Sequence, residues 1–245
     1  MPDEGSAQAK EMTMLKPEDY FDLSKTKFAD IFQGVEYVWD ALKRLPEYVQ
    51  SHLKPGVCGE VKPGAYIEDN VSIGKGTVVE PGAVIKGPAI IGESCEIRKG
   101  AYVRGNVIVG DGAVVGNSCE LKVAFLFDGA NVPHFAYVGD SILGWKTHLG
   151  AGVKISNVKL IREPIVVTAG GVKYNTELIK FGAIIGDCCD IGCNSVLNPG
   201  SMIGPNTVMY TNVMWRGVCP PSSVVKLRQT VEVVPRRFGS GQGKP

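Results

Sequence analysis

The chain has 245 residues, enough for one long repeat domain and an attachment. Lys plus Arg number 26 against 25 Asp plus Glu, a formal net charge of +1, so nothing in the charge calls for nucleic acid or a membrane surface. No signal peptide and no long apolar run is visible, and the 7 cysteines are scattered without a CxxC pair; the expectation is a reduced, cytoplasmic protein.

Residues 1–14 are polar and small, and are expected to be disordered. From Phe28 an apolar stripe follows at three-and-four spacing: Ile31, Phe32, Val35, Val38, Trp39, Leu42 and Leu45. That spacing predicts a helix, weakened by Gly34 and stopped or kinked at Pro46, with a second short helix through Tyr48, Val49 and Leu53. Residues 15–55 are read as a helical cap over the open end of a solenoid.

The solenoid follows. Every sixth residue from Val61 is aliphatic: Ile67, Ile73, Val79, Ile85, Ile91, Ile97, Val103, Val109, Val115 and Leu121. Four places after each comes a small or slim residue, such as Ala65, Thr77, Ala83, Cys95 and Cys119, with turn residues such as Pro63-Gly64 and Pro81-Gly82 between. A hexapeptide period gives one short strand and one corner per repeat, and three repeats close a triangular coil. The aliphatics point inward, and Cys95, Cys119 and Cys189 are read as small core residues.

After Leu121 the register slips. It resumes at Leu126, Val132 and Val138, then again at Leu143, Leu149 and Ile155. Residues 157–181 carry no repeat and are read as an inserted loop or hairpin, of the kind that is usually functional. The repeat returns from Ile185 to Met209. The β-helix is therefore assigned to 56–225, with a C-terminal tail over 226–245 whose last residues are expected to be disordered.

Spacing alone makes one geometric statement about a site. Arg104 and Lys122 lie 18 residues apart, one full coil, so they are expected to stack on one face of adjacent coils.

The segment ELKVAFLFDGANVPHFAYVGD, Glu120 to Asp140, has the form E-x-K, a glycine-containing corner, then H-x-x-Y-x-G-D. It closely resembles the acetyltransferase domain of the bifunctional N-acetylglucosamine-1-phosphate uridyltransferase/glucosamine-1-phosphate acetyltransferase family. The Leu149-Gly150-Ala151-Gly152 run, Asn157, the insertion and the KFGAIIGD stretch from Lys180 are similar to the archaeal-type branch. The resemblance spans roughly residues 98–210. It implies a mainly β, left-handed parallel β-helix with a short N-terminal helical segment, packed as homotrimers. It implies acetyl-CoA as cosubstrate and an amino-sugar phosphate, glucosamine-1-phosphate foremost, as acceptor. It assigns His134 as catalytic base and Arg104, Glu120, Lys122, Tyr137, His148 and Asn157 to the acceptor. Ala151, Gly152 and Lys180 fall to the cofactor.

The chemistry agrees with that assignment. An amine must lose a proton as it attacks a thioester, and histidine titrates near neutral pH. His148 stands where the family carries asparagine, so it is expected to tune acceptor choice rather than act as a second base. Val158 replaces a tyrosine, and both Lys173 and Lys180 are candidates for the insertion's lysine. No uridyltransferase half is expected. Two other readings share the fold. One is a non-catalytic scaffold or sugar-nucleotide-binding protein. The other is a γ-class carbonic anhydrase, which needs three histidines at a metal; His134 and His148, 14 apart with no close histidine pair, speak against it, and no metal is expected.

Overall fold

The structure, a computed structural model, describes residues 13–236. The chain forms the expected parallel β-helix. Strands run from Gly56–Val57 to Val224–Val225, and every pairing between coils is parallel. Three walls result. The first includes Val71–Ile73, Ala89–Ile91, Val107–Val109, Ala183–Ile185 and Ser201–Ile203. The second includes Val84–Lys86, Tyr102–Arg104, Lys154–Ile155 and Val196–Leu197. The third is a separate sheet of 9 strands, including Val114–Asn117, Asn131–His134, His148–Leu149 and Asp190–Ile191.

The aliphatic of each hexapeptide points inward. Ile73, Val79, Ile85, Ile91, Ile97, Val103, Val109, Val115 and Leu121 all belong to one buried column. The small position does more than fill space. Thr77 Oγ1 donates to Gly92 O at 2.7 Å, Thr147 Oγ1 to Gly186 O at 2.6 Å and Ser195 Oγ to Tyr210 O at 3.2 Å. Cys95, Cys119 and Cys189 make the same contact, their thiols donating to Gly110, Val132 and Gly204 carbonyls at 3.1–3.2 Å. Corners with Thr, Ser or Cys in this position are thus stapled to the next coil, and a carbonyl buried at the turn gains a donor.

The register slips have a structural cause. Two strands, Glu120–Leu126 and Tyr137–Leu143, run straight through the corner between the second and first walls, joining them into one sheet of 15 strands. Val123 (φ 47°) and Asp140 (φ 47°) make the bend without a Pro-Gly turn. One residue is saved per coil, so Glu120 pairs with Tyr137 and Val107 with Ala124, both 17 apart.

The N-terminal segment departs from expectation. Three short 3₁₀ turns, Pro17–Asp19, Leu23–Lys25 and Ala29–Phe32, precede a single α-helix, Asp40–His52, that contains Pro46. Gly34 (φ 68°) breaks the stripe where a continuous helix from Phe28 was expected. Tyr37 N donates to Asp40 Oδ2 at 3.0 Å at the helix start, and the buried face is Ala41, Leu42, Leu45 and Val49. The segment over 15–55 does not close the end of the solenoid. It lies along the first wall, packing on the outward-facing Ile90, Ile108, Phe125, Phe127, Ile142, Ile184 and Met202. Val57 and Tyr66 of the first coil stay exposed.

One carboxylate fastens this segment to the coils. Asp187 Oδ2 accepts from Asp22 N at 2.6 Å, Asp187 Oδ1 accepts from Trp145 N at 2.7 Å, and Asp187 N donates to Tyr20 O at 3.0 Å. Burial pushes the Asp187 carboxyl up from its ordinary range, against the pull of those two amides. Met14, placed in the polar terminus by sequence, is buried in this second core and accepts from Tyr20 Oη at 3.1 Å. The rest of the two expected disordered termini lies outside the described residues, apart from Thr13. The insertion folds as an antiparallel hairpin, Val166–Ala169 with Val172–Asn175, whose Ile165, Val167, Ala169 and Tyr174 join the same core beside Tyr37 and Trp39.

Candidate active site on the second wall

The second wall presents two outward columns, because side chains alternate along each short strand. Tyr102, Glu120 and Tyr137 occupy one, in register. Lys86 and Arg104 are register partners in the other, and Lys122 follows over Arg104 because Leu121 pairs with Val103. The stacking expected from the 18-residue spacing is present.

The two cations do not share a partner. Arg104 Nη1 donates to Glu120 Oε1 at 2.7 Å, with its guanidinium 5.9 Å from the Tyr102 ring centroid. Lys122 Nζ donates to Asp140 Oδ2 at 3.1 Å. Asp140 also accepts from the Asn157 amide, and that amide reaches Tyr137, whose phenol is nonetheless raised, chiefly by burial and then by Glu120. The chain Lys122–Asp140–Asn157–Tyr137 is one network at the edge between the second and first walls. Gly139 makes room for it. A Cβ there would lie 2.6 Å from Tyr137 Oη and 2.7 Å from Asn157 Nδ2. Asp140 and Gly139 were quoted in the motif but given no role. The signal was available, since Asp140 follows Lys122 by 18 residues and falls at a register slip.

His134 stands at the opposite edge of the same wall, at the end of Asn131–His134. Its ring is exposed and makes no hydrogen bond to any described residue. Gly152 N donates to His134 O at 3.0 Å, so Ala151 and Gly152 form the same corner one coil further on. The wall between the two edges is a strand of about three residues, roughly 10 Å. Tyr137 lies across it, from the His134 corner towards Asn157.

Two residues fall elsewhere. His148 faces out from the third wall, in register with Asn131 and Asp190, in a shallow groove of about 370 Å³ with Cys193, Met209 and Tyr210. Within one chain it does not join the acceptor cluster, because the corner at Ala151–Gly152 turns the strand after it onto the next wall. Lys180 sits at the root of the insertion, bridged to Val158 beside Asn157, and is therefore one wall away from Ala151 and Gly152. Asn131 Oδ1, three residues before His134, is buried without a hydrogen-bond partner among the described residues. No cluster of three or more His, Cys, Asp or Glu that holds a metal ion occurs among them, and no helix among them is long and apolar enough to cross a membrane.

Repeat, walls and corner geometry define a hexapeptide-repeat β-helix protein with a polar network on one wall. A family described as the GMPPB C-terminal domain matches residues 85–180. The chain is similar to the C-terminal acetyltransferase region of archaeal proteins named Bifunctional protein GlmU. It is 36% identical to that of Methanococcus vannielii over 176 residues, 72% of this chain and 42% of the relative. It is 33% identical to that of Methanococcus aeolicus over 199 residues, 81% of this chain and 48% of the relative. The chain thus spans about half the length of these relatives or less. Among solved structures, UDP-N-acetylglucosamine acyltransferase from Campylobacter jejuni aligns over 66% of this chain and 69% of that one, at 14% identity and a TM-score of 0.35.

Proposed function

We propose that the protein transfers an acetyl group from acetyl-CoA to the amine of an amino-sugar phosphate, with glucosamine-1-phosphate the first acceptor to test. The observation that carries this is the division of labour across the second wall. A solvent-open histidine whose ring makes no hydrogen bond to any described residue stands at one edge, and a hydrogen-bonded Tyr137–Asn157–Asp140–Lys122 network stands at the other. Similarity to proteins whose names include acetyltransferase supports the same class of reaction.

In this reading the sugar lies on the wall with its amine towards His134. The imidazole takes one proton from the neutral amine as its nitrogen attacks the thioester carbonyl; the C–S bond then breaks and the CoA thiolate leaves, to be protonated by the imidazolium. Tyr137 and Asn157 orient hydroxyls, while Arg104 and Lys122 face the phosphate. Each cation now holds a carboxylate, so an incoming phosphate exchanges one anionic partner for another instead of meeting a bare charge. Ala151 and Gly152 give the cofactor a corner without bulky side chains next to His134. A homotrimer, with cofactor between neighbouring prisms, brings Lys180 of one chain towards the corner of another, and the cytoplasm supplies the cosubstrate.

The test is thiol release from acetyl-CoA across amino sugars with and without a 1-phosphate. Release that depends on the amino-sugar phosphate and on His134 is expected. Binding of the sugar phosphate without release, by the wild-type chain, overturns catalysis in favour of a binding module.

A further inference from the structure

The inserted hairpin does more than cover the first wall. Between it and the edge of the coils lies a cavity of about 320 Å³, lined by Lys159, Ile165, Val167, Thr168, Pro199 and Arg216 among others. Its place matters. Asn157, the Pro199-Gly200 turn and the Arg216-Gly217 turn occupy the same edge of the prism on successive coils, since Lys154 pairs with Val196 and Val196 with Met214. Rungs are about 4.8 Å apart, so the cavity begins one rung beyond Asn157 and ends about 10 Å from it.

Three features give the cavity a chemical preference. Its floor is apolar, from Ile165, Val167 and Pro199. It holds two cations. Lys159 Nζ is paired with the exposed Glu163 carboxylate, whereas Arg216 is exposed with no partner among the described residues. Finally, it is bordered by an unpaired strand edge. Thr176 N donates to Ile165 O at 3.0 Å. Bonding alternates along an antiparallel pair, so Val166 and Thr168 turn their N–H and C=O groups away from the partner strand. Those groups bond to no other part of the described chain. An apolar slot, backbone donors and acceptors in a row, and guanidinium at the rim suit a flat heterocycle carrying a phosphate.

We propose that this cavity binds a nucleoside phosphate. Resting on the acyl-transfer reading, its position further implies that the acceptor is a nucleoside diphosphate amino sugar, whose phosphates then run from the sugar towards Lys159 and Arg216 instead of towards Arg104 and Lys122. The sugar lies at Tyr137 and Asn157, and the nucleoside end lies under the hairpin. Glu163 then yields Lys159 to a phosphate oxygen.

Calorimetric titration of the full chain with uridine 5′-monophosphate, guanosine 5′-monophosphate, ribose 5-phosphate and inorganic phosphate tests the site. One nucleotide should bind at least tenfold tighter than ribose 5-phosphate or phosphate. Arg216→Ala should weaken it tenfold or more, and His134→Ala should leave it unchanged. Equal binding of all four anions, a nucleotide affinity indifferent to Arg216→Ala, or tighter binding of a short acidic peptide along the free strand edge overturns the proposal. Arg216 is exposed, so the substitution should leave the melting temperature unmoved, and that measurement accompanies it. Failure of the two readings is distinguishable. If glucosamine-1-phosphate is acetylated with a KM blind to Arg216→Ala and no nucleotide binds, acyl transfer stands and the pocket falls. If a nucleotide binds through Arg216 and no acceptor releases thiol, the pocket stands and acyl transfer falls.

Discussion

Lys122 Nζ reaches Asp140 Oδ2 at 3.1 Å across adjacent coils, although the register partner of Lys122 is Gly139 and Asp140 lies one residue further on, at the corner where the repeat loses a residue. The ion pair exists because the slip exists. With a full six-residue step the corner would carry a turn, as at Gly87-Pro88 between Val84–Lys86 and Ala89–Ile91, and the Asp140 carboxylate would be displaced from the Lys122 ammonium.

That pairing is testable as a cycle. Asp140→Ala leaves the Lys122 ammonium and the Asn157 amide without their acceptor at a corner largely closed to water. We expect a loss of about 2 kcal/mol in denaturant unfolding. Lys122→Met with Asp140→Ala should lose less than the sum of the single changes. Additive losses would mean the two side chains act separately.

His134→Ala should lower acetyl transfer by about 10²–10⁴-fold, the usual cost of losing a general base. The ring is exposed and unbonded, so the melting temperature should not move. Wild-type turnover in the variant, with the best acceptor, would remove His134 from the reaction.

Gly139→Ala isolates acceptor binding. The added methyl falls on Tyr137 Oη and Asn157 Nδ2, at 2.6 and 2.7 Å, and both must move. The acceptor KM should rise at least tenfold while the acetyl-CoA KM stays within twofold. An equal rise in both would place the cofactor on that network.

Cysteine reactivity reports on the stack. Burial pushes the Cys189 thiol up to about 12, and Cys95, Cys119 and Cys219 are buried and raised as well. At pH 8 in the native state Cys58 and Cys193 should react with a thiol reagent in the fast phase, because both are exposed. Fast reaction of Cys189 would mean that its coil opens readily.

Asp187→Asn tests the fastening of the N-terminal segment. The amide NH₂ faces one of the two backbone N–H groups that the carboxylate now accepts, from Asp22 and Trp145. One donor is left unsatisfied, at about 1–3 kcal/mol. Proteolysis should then cut first near residues 20–35, with the coils intact. Cleavage within the coils would show that the segment does not dock independently.

The stacked core was legible because a period of six is a property of the chain itself. Val61 to Leu121 need no partner to be recognised. The hairpin was legible only as an interruption, since nothing local says onto which wall residues 157–181 fold. The docking of the N-terminal segment was missed, yet its trace was present. Ile90, Ile108, Phe125, Ile142, Ile184 and Met202 each precede an inward aliphatic, making an apolar doublet on one side of the triangle only. A wall that is apolar outside as well as inside needs a cover. The site was half legible. Register placed Arg104 over Lys122, but the carboxylates they hold depend on a corner bend that no residue type announces. His148 and Lys180 resisted placement because a corner sends neighbours in sequence to different faces.

The seven residues under the N-terminal segment come from coils built over more than a hundred positions, from Ile90 to Met202. Asp187 waits near the far end of that span. During synthesis residues 15–55 therefore emerge before the coils and find their seat after them. Coils can stack on one another as they leave the ribosome, since each needs only its predecessor, whereas this segment must stay undocked until the roughly 150 residues from its end to Met202 have followed it. Its aromatic side chains, Tyr20, Phe21, Phe28, Phe32 and Trp39, are bare for that interval. The same interval is the chain's exposure to aggregation and to chaperones, and closure of this one strip marks the end of maturation.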